Sequence, residues 1–262
     1  MLGKLLKYDL KWCYKPLIVF YALAFIFSVL ARIVDYMPSS FFTLIVGEVS
    51  LFMAISMFIS IIMNCMMRNW VRFLRNIYKD EAYLTHTLPV SKNEIYLSKV
   101  LTGIITLFTS LVVIVLCFNI CFMDQTSWLN FVEYFKNTSL YFHCSLPVFL
   151  SLITLLIFLE LLFMLLTGYL GIIMGNKKNN YKIMKSIIRG IQIYIVFSCL
   201  IVIILYIIGL FNQDIMSIFK SLDMNDGAIK NVMICTTGIY IIYNIIIGII
   251  SKYLLNKGVN ID

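Results

Sequence analysis

Charged side chains are scarce in this chain of 262 residues, where they make up 13% of the sequence against 61% for hydrophobic residues. Soluble domains are about one quarter charged and about one half apolar. The composition therefore excludes an ordinary soluble domain and a disordered chain. The net charge of +8 comes from basic residues in several short segments rather than one patch, which argues against binding to nucleic acid.

The sequence also lacks the short motifs of common enzyme classes. It contains no G-x-x-x-x-G-K-S/T loop for ATP phosphates, no H-E-x-x-H zinc motif and no G-x-S-x-G nucleophile motif. The two histidines, His86 and His143, fall in different loops, which disfavours a histidine metal site. We therefore expect that this chain by itself is not an enzyme and binds no cofactor or metal.

The seven cysteines form no C-x-x-C pair and lie mostly inside apolar runs. Cysteines in that setting are typical of small packing residues rather than of a zinc or redox site. Cys121 and Cys144 flank one loop, and the sequence leaves open whether they pair.

Long hydrophobic runs are what the sequence does contain. A helix needs about 20 apolar residues to cross a bilayer, and six runs reach or approach that length. They lie at 17–34, 41–67, 95–123, 145–174, 191–211 and 229–251. Too little of the chain remains for a sizeable soluble domain, so we predict an all-α integral membrane protein with one transmembrane domain over residues 1–262.

The basic residues alternate between the two sides of the predicted spans. Of the 21 Lys and Arg residues, only Arg32, Lys136, Lys220 and Lys230 fall on the side opposite the chain termini. Because basic loops stay on the inner side of the membrane, this pattern predicts a multi-pass protein with both termini in the cytoplasm.

The N-terminal segment, residues 1–16, places its lysines on one helical face. They are Lys4, Lys7, Lys11 and Lys15. Apolar residues lie broadly opposite, interrupted by Asp9. We predict an amphipathic elbow helix on the inner membrane surface, with its lysines toward anionic lipid headgroups and a bend at Pro16. A plain positive anchor before the first span is the alternative.

The longest predicted cytoplasmic stretch is residues 68–94. The second span should continue as a basic helix through Arg68, Arg72 and Arg75, and Ser91 with Glu94 forms an S-x-x-E capping box that opens the next helix. Between them lies a short element that exposes Tyr83, Leu84 and Leu88. Exposed apolar side chains usually indicate a partner, although a loop packed on itself remains possible. A smaller basic loop, around Tyr181 and Ile183, resembles it.

Two carboxylates lie inside predicted spans. Glu48 is in the outer part of the second span and Glu160 is near the middle of the fourth. A carboxylate in hydrocarbon is costly unless it is neutral, paired or hydrated. These residues are candidates for a substrate path or a proton site, and a protonated or hydrogen-bonded helix contact is the structural alternative.

A strip of small residues lies at the inner end of the fourth span and predicts close helix packing. It consists of Gly168, Gly171 and Gly175.

The segment from Asp80, DEAYLTHTLPVSKNEIYLSKVL, resembles the signature D-E-x-Y-L-T-x-T-L-P-V-S-K/R of bacterial ABC transporter permeases of the ABC-2 class. The opening KLLKYDLKW resembles the K-Y-D/E-x-K start of the same permeases, and six spans with both termini inside fit along the full length. The resemblance implies a fold like that of type V ABC exporters, with an N-terminal elbow helix and cytoplasmic coupling helices.

The resemblance also implies a function and partners. An ABC ATPase subunit, carrying ATP and Mg²⁺, would sit on the coupling residues, which are Asp80, Glu81, Tyr83, Leu84 and Leu88, with Tyr181 and Ile183 in a second contact. Two permeases, identical or paralogous, would export amphipathic or hydrophobic cargo, first of all membrane-active peptides, across a bacterial cell membrane. The alternative function is an ion-coupled secondary transporter that uses Glu160.

Overall fold

The computed structural model describes residues 1–38, 40–79, 81–87, 89–122, 125–141, 144–176, 181–220 and 228–257. Over these ranges the chain is helical and contains no strand. The helices are α1 (Leu2–Asp35), α2 (Phe41–Tyr78), α3 (Ala82–Thr87), α4 (Lys92–Cys121), α5 (Gln125–Tyr141), α6 (Leu146–Gly175), α7 (Lys182–Phe211), α8 (Gln213–Lys220) and α9 (Ala228–Asn256).

Six of these helices, α1, α2, α4, α6, α7 and α9, are long and apolar enough to cross a membrane. They contain the six hydrophobic runs, so the predicted fold class is confirmed at this level. Large apolar side chains remain exposed along them, for example Ile195, Ile203 and Leu210 on α7. Soluble proteins rarely leave such continuous apolar surface uncovered, and lipid tails are its natural surroundings.

Several helices extend beyond their hydrophobic runs, among them α2 and α7. The basic continuation of the second span is confirmed, because α2 extends to Tyr78. The fifth span begins earlier than its run, at Lys182. Lys182, Lys185 and Arg189 lower the hydrophobicity of that first part of α7 without ending the helix. A hydrophobic run therefore marks the apolar part of a helix rather than its end.

A separate elbow helix is not confirmed. The structure has one continuous helix from Leu2 to Asp35, with Pro16 inside it, where we expected a bend between an elbow helix and the first span. Proline removes one backbone hydrogen bond and bends a helix without necessarily ending it. Cys13 and Leu17 are fully buried on either side of Pro16, so packing holds the helix together across the proline. The predicted lysine face is exposed at Lys4, Lys7, Lys11 and Lys15.

The first of two compact units comprises residues 1–76 and 87–130. In it α1 packs along α4, and α2 is joined to both by polar contacts described below. One apolar cluster in it comprises Ala24, Ala54, Phe58, Ile61, Cys117 and Cys121. Cys121 is a buried free thiol, as is Cys144 in the second unit.

The second unit comprises residues 77–86 and 131–262. In it α6 packs against α7 and α9. A methyl group on Gly171 would come 2.6 Å from the Cα of Gly190, and one on Gly175 would meet the backbone of Ser186. The close packing predicted from the glycines of α6 therefore occurs, with α7 as the partner helix. That both units belong to one transmembrane domain stays a prediction.

Candidate functional site

The short helix α3 has one buried and one exposed side. Ala82 and Thr85 are buried, and the hydroxyl of Thr85 donates to the backbone oxygen of Glu81 at 2.8 Å. The two residues between them point outward, with Tyr83 75% exposed and Leu84 68% exposed. The helix therefore presents an aromatic and an aliphatic side chain from a backbone that is fixed on its other side.

The chain leaves this segment through a well-formed helix start. The Ser91 hydroxyl accepts from the backbone N–H of Glu94 at 3.3 Å, and the Glu94 carboxylate accepts from the backbone N–H of Ser91 at 3.2 Å. This is the predicted capping box. The first turns of α4 are held to α2, because the rings of Phe73 and Tyr96 meet edge to face with centroids 6.4 Å apart.

Not every predicted coupling residue can be placed. Asp80 and Leu88 lie outside the described residues. Glu81 is partly buried at the start of α3, beside the outward pair Tyr83 and Leu84.

The second predicted contact lies at the start of α7. Tyr181 precedes the helix with a φ of 55°, in the left-handed region that non-glycine residues rarely adopt. Tyr181 and Ile183 are both exposed. Their side chains are accessible, as the prediction requires, and the structure brings them to the beginning of a long helix rather than into a loop.

A buried charge cluster joins three helices of the first unit. The Asp9 carboxylate of α1 receives hydrogen bonds from the Lys99 ammonium of α4 at 2.6 Å and from the Arg72 guanidinium of α2 at 2.9 Å. Ser98 donates to the other carboxylate oxygen at 3.0 Å. Asp9 is 2% exposed and Lys99 4%, so each charge depends on its partners rather than on solvent.

Sequence analysis missed this cluster. In the sequence Asp9 interrupts an apolar face, and the family resemblance implies an acidic residue there, but no pattern connects Asp9 with Lys99. A second polar contact also joins α2 to α4. The Asn69 amide of α2 donates to the Thr106 hydroxyl of α4 at 2.9 Å. The arrangement fastens α1, α2 and α4 together.

The two intramembrane carboxylates belong to different units. Glu48 is exposed on α2 in the first unit, and Glu160 is exposed on α6 in the second. The Tyr194 hydroxyl of α7 donates to Glu160 at 3.3 Å. The expected contact between helices is thus present for Glu160, but it leaves the carboxylate accessible, so a ligand can still reach it.

Aromatic rings surround the residue one turn after Glu160. The Phe163 ring lies 5.6 Å from that of Tyr194 and 5.7 Å from that of Tyr240, measured between centroids. Phe197 and Tyr243 complete the group, both at 6.1 Å from Phe163. Three helices, α6, α7 and α9, therefore contribute rings to one cluster beside one carboxylate.

No protein-family model, curated protein or solved structure matches this chain. Within the described ranges, no group of three or more His, Cys, Asp or Glu side chains is arranged to hold a metal ion. The fold defines the class of a multi-pass, all-helical membrane protein. A more specific function must be argued from the α3 segment, the charge cluster and the Glu160 region.

Proposed function

We propose that this chain is the permease subunit of an ATP-driven ABC exporter in a bacterial cell membrane. Two copies, or one copy and a paralogue, associate with ABC ATPase subunits that bind ATP and Mg²⁺. The cargo is amphipathic or hydrophobic, with membrane-active peptides as the first candidate. The chain itself supplies the membrane path and the surface that receives the partner.

The observation that carries this proposal is the exposed pair Tyr83 and Leu84 on α3. Large aromatic and aliphatic side chains provide much of the binding energy when they insert into a partner. Tyr83 and Leu84 lie within the segment that resembles the ABC-2 signature, between the extension of α2 and the capped start of α4. Glu81, beside them, contributes to the orientation of the partner more than to affinity.

The charge cluster explains how a movement of α3 can reach the membrane helices. α3 is joined by short connections to α2 and α4, and the near ends of those helices are tied to α1 through Asp9, Arg72 and Lys99. When the ATPase subunits close, a force on α3 therefore moves these helices together. Access to the cargo path then changes from one side to the other.

The second candidate function, an ion-coupled secondary transporter, is favoured by one observation. Glu160 is an exposed carboxylate near the middle of a predicted span, and such a group can carry a proton. The two functions differ in the energy source that they require.

The experiment is reconstitution of the chain in proteoliposomes, with and without an ABC ATPase subunit, which is to be sought first in the neighbouring genes. We expect the two proteins to purify together, and transport of a fluorescent membrane-active peptide to require ATP and to survive collapse of the proton gradient. Transport by the chain alone, driven by a proton gradient and lost when it is collapsed, supports the secondary transporter instead.

A further inference from the structure

The aromatic group around Phe163, here called the Phe163 cluster, consists of Phe163, Tyr194, Phe197, Tyr240 and Tyr243. Besides the contacts of Phe163, the rings of Phe197 and Tyr243 meet edge to face with centroids 4.9 Å apart. Phe163 is fully buried, whereas Tyr194 and Tyr240 are only partly buried. The cluster thus has a packed centre and two tyrosines near the surface, on the side where Glu160 is exposed.

The charge of Glu160 has no partner in this part of the structure. None of the described Lys or Arg residues forms an ion pair with it, and its contact is the single hydrogen bond from Tyr194. The surrounding surface of α6 and α7 is apolar. A carboxylate at this depth is costly unless a proton, water or a cation compensates it, so a cationic group from outside the chain would be stabilised there.

Within the described part of the chain, three buried polar atoms on α9 are unpaired; the Ser251 hydroxyl lies about two turns away, and the other two show that the cluster is not a fully satisfied core. Among the described residues, the Tyr243 hydroxyl and the Asn244 amide oxygen have no hydrogen-bond partner. The Asn244 amide nitrogen donates to the backbone oxygen of Leu159 at 3.2 Å, which places this part of α9 beside the turn of α6 that carries Glu160. Buried polar groups are usually paired, so these atoms point to a ligand or water that completes the site.

We infer that Glu160 and the Phe163 cluster form a binding site for the cationic group of a hydrophobic organic cation. The carboxylate supplies charge, and the faces of Tyr194 and Tyr240 attract a cation within about 6 Å of the ring. The inference rests on the proposed function, since it makes such cations, including basic amphipathic peptides, the cargo class of the exporter. An anionic or neutral hydrophobic compound lacks the group that this site recognises.

The test is binding of radiolabelled tetraphenylphosphonium to the full chain in detergent, corrected for protein-free micelles. Tetraphenylborate, with the same shape and the opposite charge, is the matched probe. We expect saturable binding of the cation only. Glu160→Gln should weaken it at least about tenfold and Glu160→Asp less, since Glu160→Gln removes the ion pair, and an ion pair shielded from water is worth more than one factor of ten.

Glu133→Gln is the control, because Glu133 is an exposed carboxylate on α5 and its loss should change the affinity less than twofold. Tyr194→Phe keeps the ring and removes only the hydroxyl, so we expect the affinity for the cation to fall twofold to fivefold. This variant provides a second readout if Glu160→Gln does not fold.

Equal affinity of the wild type and both site variants, or equal binding of tetraphenylborate, overturns the inference. The assay needs no ATPase subunit, so its failure leaves the exporter proposal standing. If the chain binds the cation but co-purifies with no ABC ATPase subunit from its own cells, the exporter proposal is contradicted and the binding site is not.

Discussion

At the scale of single residues, Asp9 shows that a sequence can reveal an unusual charge without revealing its partner. Its position as an exception on an apolar face was visible, but its partner Lys99 lies 90 residues away. No periodicity connects residues at that distance, because only the packing of α1 against α4 brings them together. The exposure of Tyr83 and Leu84, by contrast, was predicted correctly, since it follows from apolar residues in a short polar segment.

The first prediction concerns the buried charge of Asp9. Asp9→Asn removes the carboxylate but keeps its shape, leaving Lys99 and Arg72 without a counter-charge, so we expect the free energy of unfolding to fall by about 3–5 kcal/mol. Asp35→Asn is the matched control, because Asp35 pairs with Arg32 at 4.0 Å near the surface and such pairs contribute about 0–1 kcal/mol. Denaturant unfolding in detergent measures both, and equal stabilities would show that the cluster is not needed.

At the scale of helices, the hydrophobic runs predicted how many spans there are but not where each helix ends. The extension of α2 to Tyr78 was predicted because Arg68, Arg72 and Arg75 keep helical spacing. The separate elbow helix is not confirmed, because α1 is continuous through Pro16. Whether a proline ends a helix depends on the packing around it, here of Cys13 and Leu17, and local sequence does not contain that information.

The second prediction concerns the contact between α6 and α7. Gly171→Ala places a methyl group 2.6 Å from the backbone of Gly190, so the helices must separate and we expect a loss of about 1–3 kcal/mol. Gly190→Ala is the matched control, since its methyl group meets its nearest atom at 3.7 Å, an ordinary contact. The measurement is the thermal stability of both variants by size-exclusion chromatography. An unchanged Gly171→Ala variant would mean that the helices are not packed this closely.

At the scale of the whole molecule, the sequence predicts an orientation from the distribution of basic residues alone. All four lysines of the N-terminal face are exposed on α1, as contact with anionic headgroups requires. The proposed assembly of two permeases with ATPase subunits rests on the motif resemblance, because nothing within a single chain indicates how many chains assemble.

The third prediction concerns that orientation. In a chain with the exposed Cys199 replaced by Ala, we expect a membrane-impermeant maleimide to modify Glu133→Cys on α5 in intact cells. Tyr181→Cys should react only after the cells are permeabilised, because basic segments remain in the cytoplasm. Both positions are exposed in the structure, so access from the two sides is what differs. The reverse pattern would invert the topology and place α3 away from any cytoplasmic ATPase.

The most direct test of the account is the double substitution Tyr83→Ala, Leu84→Ala, followed by co-purification of the ABC ATPase subunit and by its ATP hydrolysis rate. Removing the two exposed anchors of α3 should cost about 2–4 kcal/mol of association, while the permease still inserts and folds. The control is Tyr134→Ala, Leu140→Ala on α5, where the side chains are similarly exposed, at 68% and 60%. The account predicts that only the α3 variant loses its ATPase and that cargo-stimulated hydrolysis and export fall together. An α3 variant that keeps its partner and full coupled activity would contradict the assignment of this helix as the coupling element.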